Sequence, residues 1–290
     1  MAQPPPVQPR APSPKPDFAT IGGLTLAVGG ILGGLLLEGG KIKDVAQITA
    51  ALIVFGGTLG AVLVTTPLAV LKRAARKLHL VFFETVVSPD QAIEEIIRFA
   101  TKARRHGIVS LEQDADAVAD DFLRKSLNLA VDGTDLEAIR RMMELEISLE
   151  EHHGEAEARV FEAAGGYSPT VGIIGAVLGL IQVMKHLENI EEVGRGIAVA
   201  FVATVYGVAA ANLFFLPAAN KLRARLNRAV QNRELMLEGV VAIVEGLNPK
   251  LIRIKLEAYA REAAAPAPAN RRVRPEDRET LATGAETTGL

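Results

Sequence analysis

Histidines, carboxylates and a few hydroxyls among apolar residues are the groups in this chain that could do chemistry. The five histidines are His79, His106, His152, His153 and His186. The adjacent pair His152 and His153 cannot point one way on a helix, so it makes a poor chelate, and surface histidines are the simpler reading. There is no cysteine, which excludes disulfides, thiolate catalysis and cysteine metal sites. No Ser/His/Asp set is suggested and no paired carboxylates sit in an apolar setting. The sequence therefore does not read as an enzyme and implies no cofactor.

The informative polar groups lie in residues 196–219, GIAVAFVATVYGVAAANLFFLPAA, a run without a charged side chain. At about 1.5 Å per residue it is long enough to cross a hydrocarbon core of about 30 Å. Thr204, Tyr206 and Asn212 stand inside it and Pro217 near its end. A helix that only anchors a protein in lipid needs none of these, so this one faces protein partners or a wet pathway. The same groups also suit a membrane helix whose polar side chains merely bond its neighbours.

Four such apolar runs are present, and none holds Asp, Glu, Lys or Arg. A proton or cation relay normally needs an ionisable group at depth. If this chain conducts ions, the carboxylate must come from a different polypeptide, with Thr204, Tyr206, Asn212 and the glycine stripes lining or packing around that guest helix.

The whole chain fits this membrane reading. Of its 290 residues 49% are hydrophobic, and they fall in blocks, while the net charge of −2 gives no field that would draw nucleic acid. Residues 1–16 carry seven prolines and read as a disordered tail rather than a secretory signal. The first span is 18–37, with Gly29/Gly33 and Gly30/Gly34 one helical turn apart, a spacing that lets another helix backbone approach. A second span over 45–71, with Gly56/Gly60 and Pro67, completes a hairpin at 17–71. Residues 72–163 are polar and punctuated as helices. Ser88-Pro89 starts one that Gly107 ends, Ser110 to Gln113 and Thr134 to Glu137 have capping-box spacing, and Ile93, Ile96, Ile97 and Ala100 recur at helical intervals. The expectation is a helical cytoplasmic domain with no sheet.

The third span runs over about 164–184, with Pro169 in its first turns and Gly175/Gly179 at the same glycine spacing, and with the fourth it forms a hairpin at 164–219. A C-terminal helix over 220–262 and a disordered tail over 263–290 follow. The fold class is all-α, a polytopic membrane protein with four transmembrane helices and a helical cytoplasmic domain. Lys72 to Lys77 supply four basic residues and Lys221 to Arg233 five, against four in the two short links together. That bias places both termini and the insert in the cytoplasm.

From residue 17 to residue 261 the chain resembles the MotA family of flagellar motor stator proteins, within the MotA/TolQ/ExbB group. AFVATVYG from Ala200, followed by Pro217, and PTVGIIGAVLGL from Pro169 are similar to the family motifs. Ala209 departs from them, a larger apolar residue being usual there, and neither the proline-rich start nor the last 28 residues has a counterpart in the family. The resemblance implies a homopentamer in the bacterial inner membrane around a MotB-type subunit, whose single helix brings the ion-carrying aspartate. Ion flow would turn the ring against the rotor switch protein FliG. It further implies rotor-contacting charges at Arg104 and, eight residues on, Glu112. Ion pathway and coupling roles fall to Pro169, Ala176, Thr204, Tyr206 and Pro217. Ala176 stands where sodium-driven relatives carry threonine, and a methyl cannot coordinate sodium, so the proton is the expected ion. The alternatives are a sodium-driven stator and an energiser of envelope transport of the TolQ/ExbB kind. Those energisers usually have three spans with the insert after the first, whereas here it follows the second of four.

Overall fold

The structure is a computed structural model that describes residues 15–84 and 88–264. Strand β1 (Lys15–Pro16) leads into helix α1 (Phe18–Leu37). Asp17 caps that helix by accepting from the Thr20 N–H at 3.1 Å, and Gly39, at φ 82°, closes the far end. A short α2 (Ile42–Val45) precedes the second span, which is built of α3 (Ile48–Ala51), a π-turn at Leu52–Gly56 and α4 (Gly57–Thr65).

The second span stops at Thr65, short of the expected 71. Thr66 is extended (φ −128°, ψ 130°), as a residue before proline must be, and Pro67 caps a new helix, the basic amphipathic α5 (Leu68–Lys77). Then come α6 (His79–Phe82) and β2 (Phe83–Glu84). β1 and β2 pair antiparallel, Pro16 opposite Phe83, so the expectation of no sheet is corrected. This two-residue ladder draws the start of α1 onto the chain that leaves α6. Residues 1–14 and 265–290, which hold most of the expected tails, lie outside the described residues.

Helix α7 (Pro89–His106) begins at the Ser88 cap and ends at Gly107, φ 81°. A 3-10 turn (Ile108–Leu111), α8 (Glu112–Asp116) and α9 (Asp121–Val131) follow. Neither expected capping box forms. The Ser110 hydroxyl donates to the Gly107 carbonyl at 2.6 Å, and Asp135, not Thr134, accepts from the Glu137 N–H at 3.1 Å. Only at α10 does a neighbouring side chain, Asp135, take over the free helix end, and the start of α8 has no side-chain cap.

Helix α10 (Leu136–Lys185) runs unbroken for 50 residues through Pro169, so the expected division at 163/164 falls inside one helix. Asn189 caps α11 (Ile190–Ala209), which passes through a π-turn at Ala210–Phe215 into α12 (Leu216–Val244). The π-turn changes the hydrogen-bond register just where Pro217 withholds a donor. The expected single helix over 220–262 is in fact two. Gly246, φ 72°, turns the chain, and α13 (Pro249–Ala264) folds back along α12 and α7. Its Ile252 and Leu256 are fully buried in the domain core, which a continuous helix would have left in solvent.

That core gathers Ile96 and Phe99 of α7, Phe122 and Leu127 of α9, Ile139 of α10 and Val240 of α12. Each large side chain buried there contributes about 1.5–3 kcal/mol relative to exposure. The four helices long and apolar enough to cross a membrane behave differently, since at most 28% of any such window is buried within the chain. The helical domain folds on itself, and the spans leave most of their apolar surface for lipid and partners.

Candidate functional site

Small residues bring α10 and α11 into backbone contact. A Cβ on Gly179 would lie 2.8 Å from the Ala200 nitrogen, and one on Gly172 2.9 Å from the Ala203 carbonyl oxygen. From the other side, a Cβ on Gly207 would lie 2.6 Å from the Ser168 carbonyl oxygen and 3.2 Å from the Pro169 Cα. This seam therefore brings Pro169 beside Gly207 and Gly172 beside Thr204. Ala176 is half-buried on the same stretch of α10. The Thr204 hydroxyl donates to the Ala200 carbonyl at 3.2 Å, one turn back on its own helix. Beside Pro169, the Ser168 hydroxyl is fully buried with no hydrogen-bond partner among the described residues, as is that of Thr58 in α4.

Tyr206 is engaged elsewhere. Its hydroxyl donates to the Val45 carbonyl at 2.5 Å and accepts from the Gln47 N–H at 3.3 Å. Ala46 and Gln47 leave helical geometry between α2 and α3, so the backbone groups beside them need partners from outside the helix. Tyr206 supplies the missing partner, with its ring beside Phe55. Asn212 bonds the Val208 carbonyl at 2.9 Å, and Pro217 is exposed beside the first turns of α1.

Below the seam lies a belt of ion pairs that the sequence did not announce. Glu157 of α10 is 2% exposed and meets Arg73 at 3.3 Å and Lys77 at 2.8 Å, locking α5 to α10. Arg223 of α12 holds Glu155 (2.9 Å) and Glu162 (2.5 Å). The Asp17 carboxylate receives Lys221 at 2.5 Å and Arg225 at 2.9 Å, while Arg225 also donates to the Phe83 carbonyl. The hydrogen bond from Lys221, partly opposed by burial, holds the Asp17 carboxyl well below the usual carboxylate range, with the Thr20 N–H and Arg225 adding to it. The one available signal was Asp17 itself, an acid directly before an apolar block, which reads as a helix cap. Its partners lie more than 200 positions away and could not be read.

The other expected residues stand far from the seam. Helices α7, α9 and α12 all end in positive-φ glycines, Gly107, Gly133 and Gly246, and these turns gather at the membrane-distal tip of the helical domain, from which α10 starts back. From Leu136 to Pro169, α10 spans about 50 Å. Arg104, in the last turn of α7, and Glu112, at the start of α8, are both exposed there, and neither is in an ion pair among the described residues. No group of three or more His, Cys, Asp or Glu able to hold a metal occurs among the described residues.

The chain matches the MotA/TolQ/ExbB proton channel family over residues 114–235 and the Motility protein A N-terminal family over 21–107. It is 37% identical over 247 residues to Motility protein A of Bacillus subtilis, covering 84% of this chain and 90% of that protein. It is similar to the solved structure of C. jejuni MotAB, with TM-score 0.80 and 34% identity over 84% of this chain and 95% of that one. The flagellar MotAB stator complex from Bacillus subtilis gives TM-score 0.77 at 34% identity, over 91% and 99%.

Proposed function

This chain belongs to the MotA/TolQ/ExbB proton channel family, and from that premise we propose that it couples proton flow to torque on the flagellar rotor. It is a MotA-type stator subunit, a membrane protein and not an enzyme. In this reading it sits in the cytoplasmic membrane with both termini and the helical domain inside. Copies assemble as a homo-oligomer, a pentamer by family resemblance, around a MotB-type partner. The observation that carries the proposal is that the four spans hold no acidic or basic side chain at depth, and that the third and fourth continue as α10 and α12 to an exposed, charged tip.

The work divides along the chain. The partner's aspartate supplies the ion site, which the apolar seam cannot, and surroundings this dry favour its neutral, ion-loaded form. Moving one charge through 100 mV releases about 2.3 kcal/mol, several times RT, enough to bias a step. Pro169 and Thr204 lie at the α10–α11 seam, where a partner's helix acts on backbone already closely packed. α10 carries the displacement about 50 Å and α12 about 40 Å, each as a continuous helix. At the tip Arg104 and Glu112 face the rotor protein FliG, and exposed charge pairs, each worth about 0–1 kcal/mol, suit contacts that form and release with every step. Ala176 offers no ligand for sodium, which supports the proton. The match to the Motility protein A N-terminal family favours this reading over an envelope-transport energiser.

The test is single-motor rotation in cells lacking this chain, with external sodium and proton motive force varied independently. Paralysed, flagellated cells rescued by the chain and following proton motive force alone are expected. Rotation that follows sodium overturns the ion assignment, and unchanged rotation without the chain overturns the function.

A further inference from the structure

Arg104 does not stand on a flat surface. Beside it a cavity of about 330 Å³ opens at the distal tip, with Ala103 and Ile108 on the α7 side and Thr134, Val244 and Leu247 on the other. Its floor is the apolar domain core, and two of its walls are the positive-φ glycines Gly133 and Gly246, which bring no side chain to fill it. One rim is cationic, with Arg104 lining the cavity and Arg105 next to it in the last turn of α7. The other carries Asp132 and Glu245, each exposed and directly preceding a lining glycine. An apolar recess between rims of opposite sign is shaped for one kind of visitor.

We infer that this recess seats an apolar side chain of a rotor-protein helix that carries an acid on one side of that residue and a base on the other, each about one helical turn away. The inference rests on the reading of the tip as the rotor-facing surface and adds an apolar anchor to it. Charge pairs in water fix orientation but hold weakly. An apolar side chain withdrawn from water into a recess supplies the grip, and its small size lets it leave again. The acid faces Arg104 and the base faces Asp132 and Glu245, so the rims decide which way the helix lies. A second copy of this chain docking at the same recess is the competing occupant.

The full-length chain, co-expressed with its partner subunit in cells lacking the native copy, allows a direct test. Ala103→Phe fills the recess without changing a charge, and Arg104→Glu reverses the rim. The readout is the number of stator units bound per motor, with membrane level and partner co-purification measured alongside. Ala103→Phe is expected to lower bound units about tenfold at unchanged assembly, as loss of a central apolar anchor does. Wild-type occupancy for Ala103→Phe, with Arg104→Glu impaired, overturns the anchor and leaves the rotor reading standing. Wild-type occupancy and rotation for both overturn the rotor reading as well. Because the chain has no cysteine, Thr134→Cys gives a unique cross-linking handle at the rim that does not depend on the filled variant folding. A cross-link from it to the rotor protein is expected. A cross-link to a neighbouring copy of this chain, or none to the rotor, overturns the proposal.

Discussion

Gly29/Gly33 and Gly30/Gly34 in α1 repeat the spacing of Gly175/Gly179 in α10, but the two helices use it in opposite ways. In α10 the glycines are fully packed, and a Cβ on Gly175 or Gly179 would meet Ala203 or Ala200 of α11 at 2.7–2.8 Å. In α1 a Cβ on any of the four would meet nothing within 4 Å, and no residue of the helix is buried. The second span falls between them. Gly56 and Gly60 are open, while their neighbour Gly57, outside the motif, lies against Val171 of α10. Glycine spacing thus records that a helix can be approached closely and not who approaches. α10 and α11 satisfy each other inside one chain, whereas α1 is held at its base and keeps its stripe free for lipid or for another chain of the assembly.

Substitutions that treat the two stripes alike should separate them. The largest effect is expected from Gly179→Leu, whose side chain has no room against α11 backbone. About 3 kcal/mol or more of stability should be lost, read as a lower melting temperature by circular dichroism in detergent and less chain in the membrane. Asp17→Ala comes next, because it removes a helix cap and leaves Arg225 and Lys221 without their acid. About 2–4 kcal/mol is expected, and α1 should become sensitive to protease at its base. Since the folded Asp17 carboxyl titrates below its usual range, its contribution should be constant from neutral pH down to about 4. It should fade only as pH falls further, so wild type and variant should converge in acid and not in base. Tyr206→Phe should cost about 1 kcal/mol by stripping the Val45–Gln47 break of its partner, a modest fall in melting temperature. Gly33→Leu should leave the melting of the isolated chain unchanged, and any loss should appear in assembly with partner subunits. If Gly33→Leu melts as low as Gly179→Leu, α1 is packed within its own chain and the contrast fails.

Much of the architecture was legible because lipid imposes long uncharged runs. The first span is the expected 18–37, and the start of α7 at Ser88-Pro89 and its end at Gly107 follow from the local chemistry of caps and turns. The second span ends before the expected 71 because Pro67 forces Thr66 out of helical geometry. The missed division of 220–262 hung on Gly246, a single residue whose positive φ is confirmed only by α13 having a core to fold onto. At the seam, Pro169 and Thr204 lie against the packed Gly207 and Gly172, a pairing that motif and spacing alone did not specify. Tyr206 gave no sign that its hydroxyl is bound to a backbone break about 160 positions earlier. Glu157, one acid among many in a polar insert, was invisible as the buried centre of the α5–α10 lock.

By itself the sequence determined the number of spans, the all-helical class and the absence of acids and bases from the spans. Each follows from local composition, since burying a charge or an unpaired backbone group in hydrocarbon is prohibitive wherever it occurs. Only the tertiary structure decided which glycine stripe is closed, which charges form the belt and which stand free at the tip. Those outcomes depend on residues tens to hundreds of positions apart meeting at a few ångströms, and close packing is specific to the pair that meets.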